Sequence, residues 1–519
     1  MKGVKMIQIP DSPILLSPHL SKFKKWRPNQ KEAVERIANS DKRFFILNAP
    51  TGVGKSLIAV ATALATDSKT YIVTYTKQLQ DQYLRDFPFI ATIKGRKNYP
   101  CVYLEGLTAE DCILQAKIPC PFKEECPYRV AKAQAIANQI SIHNYSYYLT
   151  ALNYTNEWPK ADLVVLDEAH LAENALLKFV ETRISKKNLD KLFLPYPTPD
   201  DDVMDFLNTL EHTLTNRIED LTDELQYIAS TDNPDPDEVK ELTNLIEKYN
   251  NLRRKVIFLL AQLDDTWVID YNPMRIVFKP TWVKEFNSYL FNHGEKFLLM
   301  SATITKKNAE VLGIPEDEME YMELPSPFPA ERRPLHFIPV VNMRHDNIKN
   351  ALPTLVKLID KVLKKHEGQK GIIHTVNTEL AKQIFALSEY KRRLIPAWGD
   401  KREEALKEHE KSKDGVILSP SLDVGTDFKY DEGRFQIIVK LPFPDLSDEQ
   451  TKKRFQQDKD WYIMEMANRI VQAYGRTNRA EDDYSDTYIF DERFWWYVKH
   501  YKEFFPEWFI EAIRYYRIR

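Results

Sequence analysis

Residues 43–56 read RFFILNAPTGVGKS. Arg43 to Asn48 is a short apolar run ending in a polar residue, the pattern of a strand buried on both faces. Ala49-Pro50-Thr51-Gly52-Val53-Gly54-Lys55-Ser56 then has the spacing of a phosphate-binding P-loop, with Ala49 in place of the first glycine. From Ser56 to Ala65 the composition turns helical. A strand that passes through such a loop into a helix offers phosphate oxygens the backbone N–H groups from Thr51 through Gly52, Val53 and Gly54, at the positive helix N-terminus. Lys55 then reaches the β- and γ-phosphates of ATP, and the Ser56 hydroxyl ligates Mg2+. A glycine turn beside a surface lysine is the bland alternative, and the flanking strand and helix count against it.

Three further apolar runs read as buried strands: TYIVT (Thr70 to Thr74), DLVVL (Asp162 to Leu166) and KFLLM (Lys296 to Met300). Strands alternating with helices predict a doubly wound α/β domain with its chemistry at the carboxyl ends of the strands. The second of these runs ends in Asp167-Glu168-Ala169-His170, the third in Ser301-Ala302-Thr303. Asp167 at a strand end holds Mg2+, and the adjacent Glu168 polarises the attacking water. Alone, DEAH also reads as an exposed acidic helix start; beside a P-loop it supplies the complementary half of an ATP site. Beyond Pro325-Ser326-Pro327-Phe328-Pro329, a natural linker, a second alternating domain has strands at 371–374, 415–418 and 436–439. It also carries Gln472-Ala-Tyr-Gly-Arg-Thr-Asn-Arg479, read as helical, so that Arg476 and Arg479 face one cleft at i, i+3. Cations arriving there on domain closure would meet charge developing on the γ-phosphate; an exposed basic helix is the alternative.

Composition sets the frame. At 519 residues the chain is too long for one core, and 43% hydrophobic with 29% charged residues describes a globular protein. No apolar run approaches the roughly 18 residues of a membrane span, and Met1 to Pro10 lacks a secretory pattern, so a cytoplasmic location is expected. The net charge of −3 hides an asymmetry. Residues 200–250 hold fifteen Asp/Glu against three Lys/Arg, a local −12 that leaves +9 for the rest. Phosphate attraction follows the local field, so an acidic appendage does not exclude nucleic acid. The four cysteines, Cys101, Cys112, Cys120 and Cys126, all fall within 26 residues at spacing C-x10-C-x7-C-x5-C. Spacing alone leaves zinc and an iron–sulfur cluster open, with a disulfide pair less favoured in a reducing compartment.

P-loop, DEAH, Ser301-Ala302-Thr303 and QAYGRTNR, in this order, resemble motifs I, II, III and VI of superfamily 2 helicases. Trp26-Arg27-Pro28-Asn29-Gln30 resembles the Q-type motif that reads adenine, which places Arg27 and Gln30 at the nucleotide. Thr76 to Gln82 resembles motif Ia, and SPSLDVGTDF (Ser419 to Phe428), with Gly425 and Asp427, resembles motif V; both contact nucleic acid. KGRKNYPC (Lys94 to Cys101), His143-Asn144-Tyr145 and SPFP narrow the resemblance to the XPD/DinG family, over about residues 26–493. One departure is Val424 before the motif V glycine, where the family usually has Glu.

The resemblance implies two RecA-like P-loop motor domains, with a small iron–sulfur domain and a mostly helical Arch domain inserted in the first. The expected division is motor domain 1 at 1–94, 141–171 and 291–325, iron–sulfur domain at 95–140, Arch at 172–290, and motor domain 2 at 326–519. Position between motifs Ia and II makes the cysteines ligands of a 4Fe–4S cluster, and Lys94, Arg96, Lys97 and Tyr99 beside it suit a single strand. The implied activity is an ATP-dependent DNA helicase moving 5′ to 3′ on single-stranded and forked DNA, with ATP, Mg2+ and the cluster as cofactors and a monomer as its state. A translocase that strips proteins or RNA from DNA without processive unwinding competes with it, and a nucleotide-regulated DNA-binding module is the reading from another class. Glu168, Arg476 and Arg479 argue against the module, since binding alone needs no hydrolytic machinery.

Overall fold

The computed structural model describes residues 6–112, 119–231, 235–344, 346–420, 428–477 and 482–516. Its first strands are β1 (Phe44–Asn48), β2 (Thr70–Thr74), β3 (Ala91–Thr92), β4 (Ile140–Asn144) and β5 (Ala161–Asp167). The chain then leaves through β6 (Thr182–Ser185), β7 (Trp267–Asn272) and β8 (Arg275–Pro280), and returns with β9 (Gly294–Ser301) and β10 (Met319–Glu323). The home sheet is parallel throughout, in the order β10-β1-β9-β5-β2-β4-β3. β1, β9 and β5 are therefore neighbours, which brings the P-loop, Ser301-Ala302-Thr303 and DEAH side by side although some 250 residues separate them in sequence.

Those strands read as unbroken apolar runs because both faces of the sheet are covered. Phe44, Ile46, Tyr71, Val73, Val164, Leu166, Phe297 and Leu299 point into one core. Phe45, Leu47, Ile72, Leu163, Val165, Leu298 and Met300 alternate into the other, against the helix Lys55–Ala65. The first core runs on into the insertion. There two 27-residue helices, Val203–Ala229 and Pro236–Gln262, turn Leu207, Leu210, Leu214, Leu221 and Leu225 toward Val239, Ile246, Val256 and Leu259 at helical spacing. Asp202 and Asp235 cap their N-termini, and Pro236 sits where a helix tolerates proline. Beside the hairpin lies a feature the helical pattern did not announce, an antiparallel sheet of order β6-β8-β7.

The second domain contains β11 (Leu335–Val341), β12 (Gly371–His374), β13 (Leu394–Pro396), β14 (Val416–Ser419), β15 (Phe435–Ile438), β16 (Asp486–Asp491) and β17 (Ile513–Tyr515). They form a second parallel sheet, β13-β14-β12-β15-β16-β11-β17. Two parallel seven-stranded sheets with helices on both faces are the pair of RecA-like domains that the motifs called for. Among the described residues no helix is long and apolar enough to cross a membrane.

Candidate functional site

Gly52 and Gly54 both adopt left-handed backbone, φ 88° and 87°, which turns the loop between β1 and the helix Lys55–Ala65. The loop is held from outside. Gln30, buried on the helix Gln30–Asn39, donates from Nε2 to the Val53 carbonyl at 2.7 Å and to that of Gly54 at 3.4 Å. Its Oε1 accepts the Arg27 backbone N–H at 2.7 Å, and Arg27 Nη1 reaches the Gly52 carbonyl. Phe328 of the linker lies over the loop so closely that a Cβ on Gly52 would come within 2.3 Å of its ring. Ala49 N–H donates to the Ser301 carbonyl at 2.8 Å, and Lys55 Nζ to the Ala49 carbonyl at 3.3 Å.

Asp167 ends β5 fully buried. Burial pushes its carboxyl up to about 6, with Glu168 adding to the rise and Lys55 opposing it. Oδ1 accepts the Glu168 backbone N–H and Oδ2 accepts the Tyr83 hydroxyl, both at 2.9 Å. Glu168 is left-handed at φ 52°, a conformation that costs a non-glycine residue about 1–3 kcal/mol and recurs at active sites. A polar thread leads away from it. The carboxylate lies 3.4 Å from His170 Nδ1 and 3.5 Å from Ser301 Oγ, and those two groups are 2.6 Å apart. Ser301 Oγ accepts the Thr303 backbone N–H at 3.2 Å, and Gln472 Nε2 of the second domain donates to Thr303 Oγ1 at 3.5 Å.

Gln472 belongs to the helix Lys459–Tyr474, and Gly475 at its end faces Thr51 across a cleft also lined by Pro50, Phe328, Arg333 and Thr477. Here the structure corrects the sequence reading. The helix stops at Tyr474, so Arg476 stands in a turn and helical i, i+3 spacing does not orient it. The turn has its own supports: Phe428 N–H donates to the Arg476 carbonyl at 3.0 Å, and Phe428 bridges Thr477. Gln436, buried in β15, donates to the Tyr474 carbonyl at 2.9 Å and to Thr477 Oγ1 at 3.1 Å. Arg479, Val424, Gly425 and Asp427 lie outside the described residues.

Sequence reasoning passed over Tyr83, Gln436 and Arg333. Arg333 is buried and ties the linker to the second domain, donating to the Phe328 carbonyl, the Tyr474 hydroxyl and the Trp508 carbonyl. A lone glutamine inside the otherwise apolar FQII was a readable sign, because a buried amide needs partners.

The four cysteines converge on one cavity of about 210 Å³, lined also by Arg96, Tyr103, Phe122, Tyr128 and Arg129. Each is partly buried and none is in a disulfide. Among the described residues no three His, Cys, Asp or Glu side chains gather closely enough to share a single metal ion. Four thiols that line one cavity are a donor set that a thiolate-bound cluster uses. The Leu104 backbone N–H points at Cys101 Sγ (3.4 Å), and Cys126 stands at the N-cap of the helix Pro127–Ala137. Arg96, Arg129 and Lys132 crowd the same flank; burial, with the two guanidiniums, pushes the Lys132 ammonium down to about 8.

Two family models match the chain: the helicase C-terminal domain over residues 361–512 and the type III restriction enzyme res subunit over residues 23–194. The structure of S. tokodaii Xpd4 superposes with a TM-score of 0.60 at 17% identity, covering 95% of this chain and 100% of that one. The chain therefore has the fold of that Xpd4 structure. Among its relatives, a probable ATP-dependent helicase of Methanocaldococcus jannaschii is 21% identical over 91% of this chain and 92% of its own length. A regulator of telomere elongation helicase 1 homolog from Caenorhabditis elegans is 32% identical over 19% of this chain, which spans 11% of that longer protein.

Proposed function

We propose that this chain is a member of the XPD/DinG family and an ATP-dependent DNA helicase, moving 5′ to 3′ on single-stranded DNA and separating duplex strands by Mg-ATP hydrolysis between its two RecA-like domains. One observation carries the reading: P-loop, DEAH and Ser301-Ala302-Thr303 share three adjacent strand ends and face Gln472 and Gly475 of the second domain across one cleft.

The chain's residues divide the work. Thr51, Gly52, Val53 and Gly54 turn backbone N–H groups toward phosphate, and Arg27 and Gln30 hold that loop in shape. Lys55 meets the β- and γ-phosphates, while Glu168, oriented by His170 and Ser301, draws a proton from the attacking water. Gln472, Arg476 and Arg479 come from the other domain and meet the charge that develops on the γ-phosphate. Ser56 and Asp167 are oxygen donors of the hard type Mg2+ prefers, and a buried carboxylate of raised affinity for protons has room for a cation's charge beside it. Bound Mg2+ supplies charge neutralisation across the phosphates. Gly425 and Asp427 of motif V are assigned to the same site by resemblance.

Cys101, Cys112, Cys120 and Cys126 would hold the 4Fe–4S cluster, which ties the inserted loops together. Beside them Arg96 and Arg129 form a cationic flank with Tyr99 and Tyr128, suited to a phosphate backbone and its bases, while Lys132 is held in an ion pair with Glu157. The direction of movement rests on the resemblance to relatives with both insertions.

Lys55→Ala and Glu168→Gln test the motor. Lys55→Ala should lose DNA-stimulated ATP hydrolysis by about a hundredfold or more with its melting temperature unchanged, because it removes charge and little packing. Glu168→Gln should bind ATP and retain it unhydrolysed. Turnover near that of the native chain in either variant would refute the assignment.

A further inference from the structure

Tyr83 sits on the helix Lys77–Asp86, whose N-cap Thr76 follows β2, the neighbour of β5. It is completely buried among Ile58, Ile72, Phe87 and Ile142, a setting that a leucine or phenylalanine would fill as well. Its hydroxyl nevertheless reaches the catalytic centre and donates to Asp167 Oδ2 at 2.9 Å. The Ser56 side chain lies against the same hydroxyl. One phenol therefore stands between the two side chains to which the proposed reading gives Mg2+. A phenol buried this deeply needs a polar partner, and here that partner is the DEAH aspartate.

We propose that Tyr83 is a positioning residue for the divalent cation, a role that rests on the ATP-site reading above. With the Glu168 N–H on Oδ1 and Tyr83 on Oδ2, the Asp167 carboxylate is pinned in one rotamer. Each oxygen keeps a second lone pair for a cation or its water. Groups that orient a metal's ligands in this way typically govern about 10–100-fold in metal affinity. Tyr83 itself does not touch nucleotide.

Tyr83→Phe tests this, with Mg2+ titrated against binding of a fluorescent ADP analogue, so that the readout is affinity and not turnover. Without Mg2+ the variant should bind the analogue within about twofold of the native chain, whereas the Mg2+ concentration for half-maximal enhancement should rise about tenfold or more. A purely structural role would shift the melting temperature and leave the Mg2+ midpoint in place, and an unmoved midpoint overturns the proposal. If Tyr83→Phe does not fold, Tyr83→Met fills the volume flexibly and carries the same expectation. Failure of the native chain itself to show Mg2+-dependent nucleotide binding would instead refute the ATP site.

Discussion

Gln30 uses both ends of its amide on backbone, accepting from Arg27 and donating to Val53 and Gly54. Truncation to alanine would orphan a P-loop carbonyl and an N–H, each at a cost of about 1–3 kcal/mol. Gln30→Ala should therefore weaken binding of ATP and GTP alike, about tenfold or more by that cost. Loss confined to ATP, measured by equilibrium binding of both nucleotides, would mean that Gln30 reads adenine directly. At this scale, legibility depended on distance along the chain. Lys55, Ser56, Asp167 and Glu168 stand in runs whose chemistry is complete within a few residues. Tyr83 acts on a residue 84 positions away, so no local pattern marks it, and Gln436, marked only by its polarity within FQII, acts on residues 38 and 41 away.

Elements were legible where burial is two-sided and uniform, as in FFILN, TYIVT and FQII. β4 breaks the uniform apolar pattern because ISIHN carries Ser141 and His143, whose Oγ and Nε2 lie 3.0 Å apart inside the core. β11 escaped notice because Pro339 interrupts LHFIPVV, and the register indeed shifts between Phe337 and Val341. The helix read through Arg479 stops at Tyr474, where Gln436 captures the Tyr474 carbonyl, a tertiary contact. The cysteine segment is the element whose chemistry the sequence marked most plainly, by clustering. Anaerobically purified protein should contain about four irons per chain, as a 4Fe–4S cluster on four thiolates requires. Cys112→Ser should lower that content and impair unwinding more than ATP hydrolysis, since the P-loop lies elsewhere. Stoichiometric zinc without iron would overturn the cluster.

Across the whole molecule, the two RecA-like domains meet at the cleft and at the root of the insertion. At the cleft, among the described residues, Gln472 Nε2 lies 3.5 Å from Thr303 Oγ1, and Gly475 and Thr51 line the same cavity. At the root of the insertion, Arg454 of the second RecA-like domain is buried between Trp282 and Trp461, 5.0 Å from each ring, and paired with Glu173. Lys279 there links Asp270 to Asp448 at 2.8 Å on each side, and Gln450 donates to the Pro280 carbonyl at 2.6 Å. Desolvated charges are costly to part, so separating the domains at this end would break a buried ion pair. Glu173→Gln should destabilise the protein by about 3–5 kcal/mol, and the paired Glu173→Leu/Arg454→Met change should recover much of that loss in thermal unfolding. An unchanged melting temperature in Glu173→Gln would show the pair to be solvated.

In the proposed function, the motor would cycle at the cleft while DNA bears on the inserted domains. The decisive measurement is strand separation on forked duplexes carrying a single 5′ or a single 3′ tail, with anaerobically prepared protein, Mg2+ and ATP. The 5′-tailed fork should unwind, only with hydrolysable ATP, and more slowly as salt weakens the phosphate contacts. Separation of the 3′-tailed fork instead would contradict the direction, and hydrolysis of ATP with neither fork opened would contradict the helicase itself.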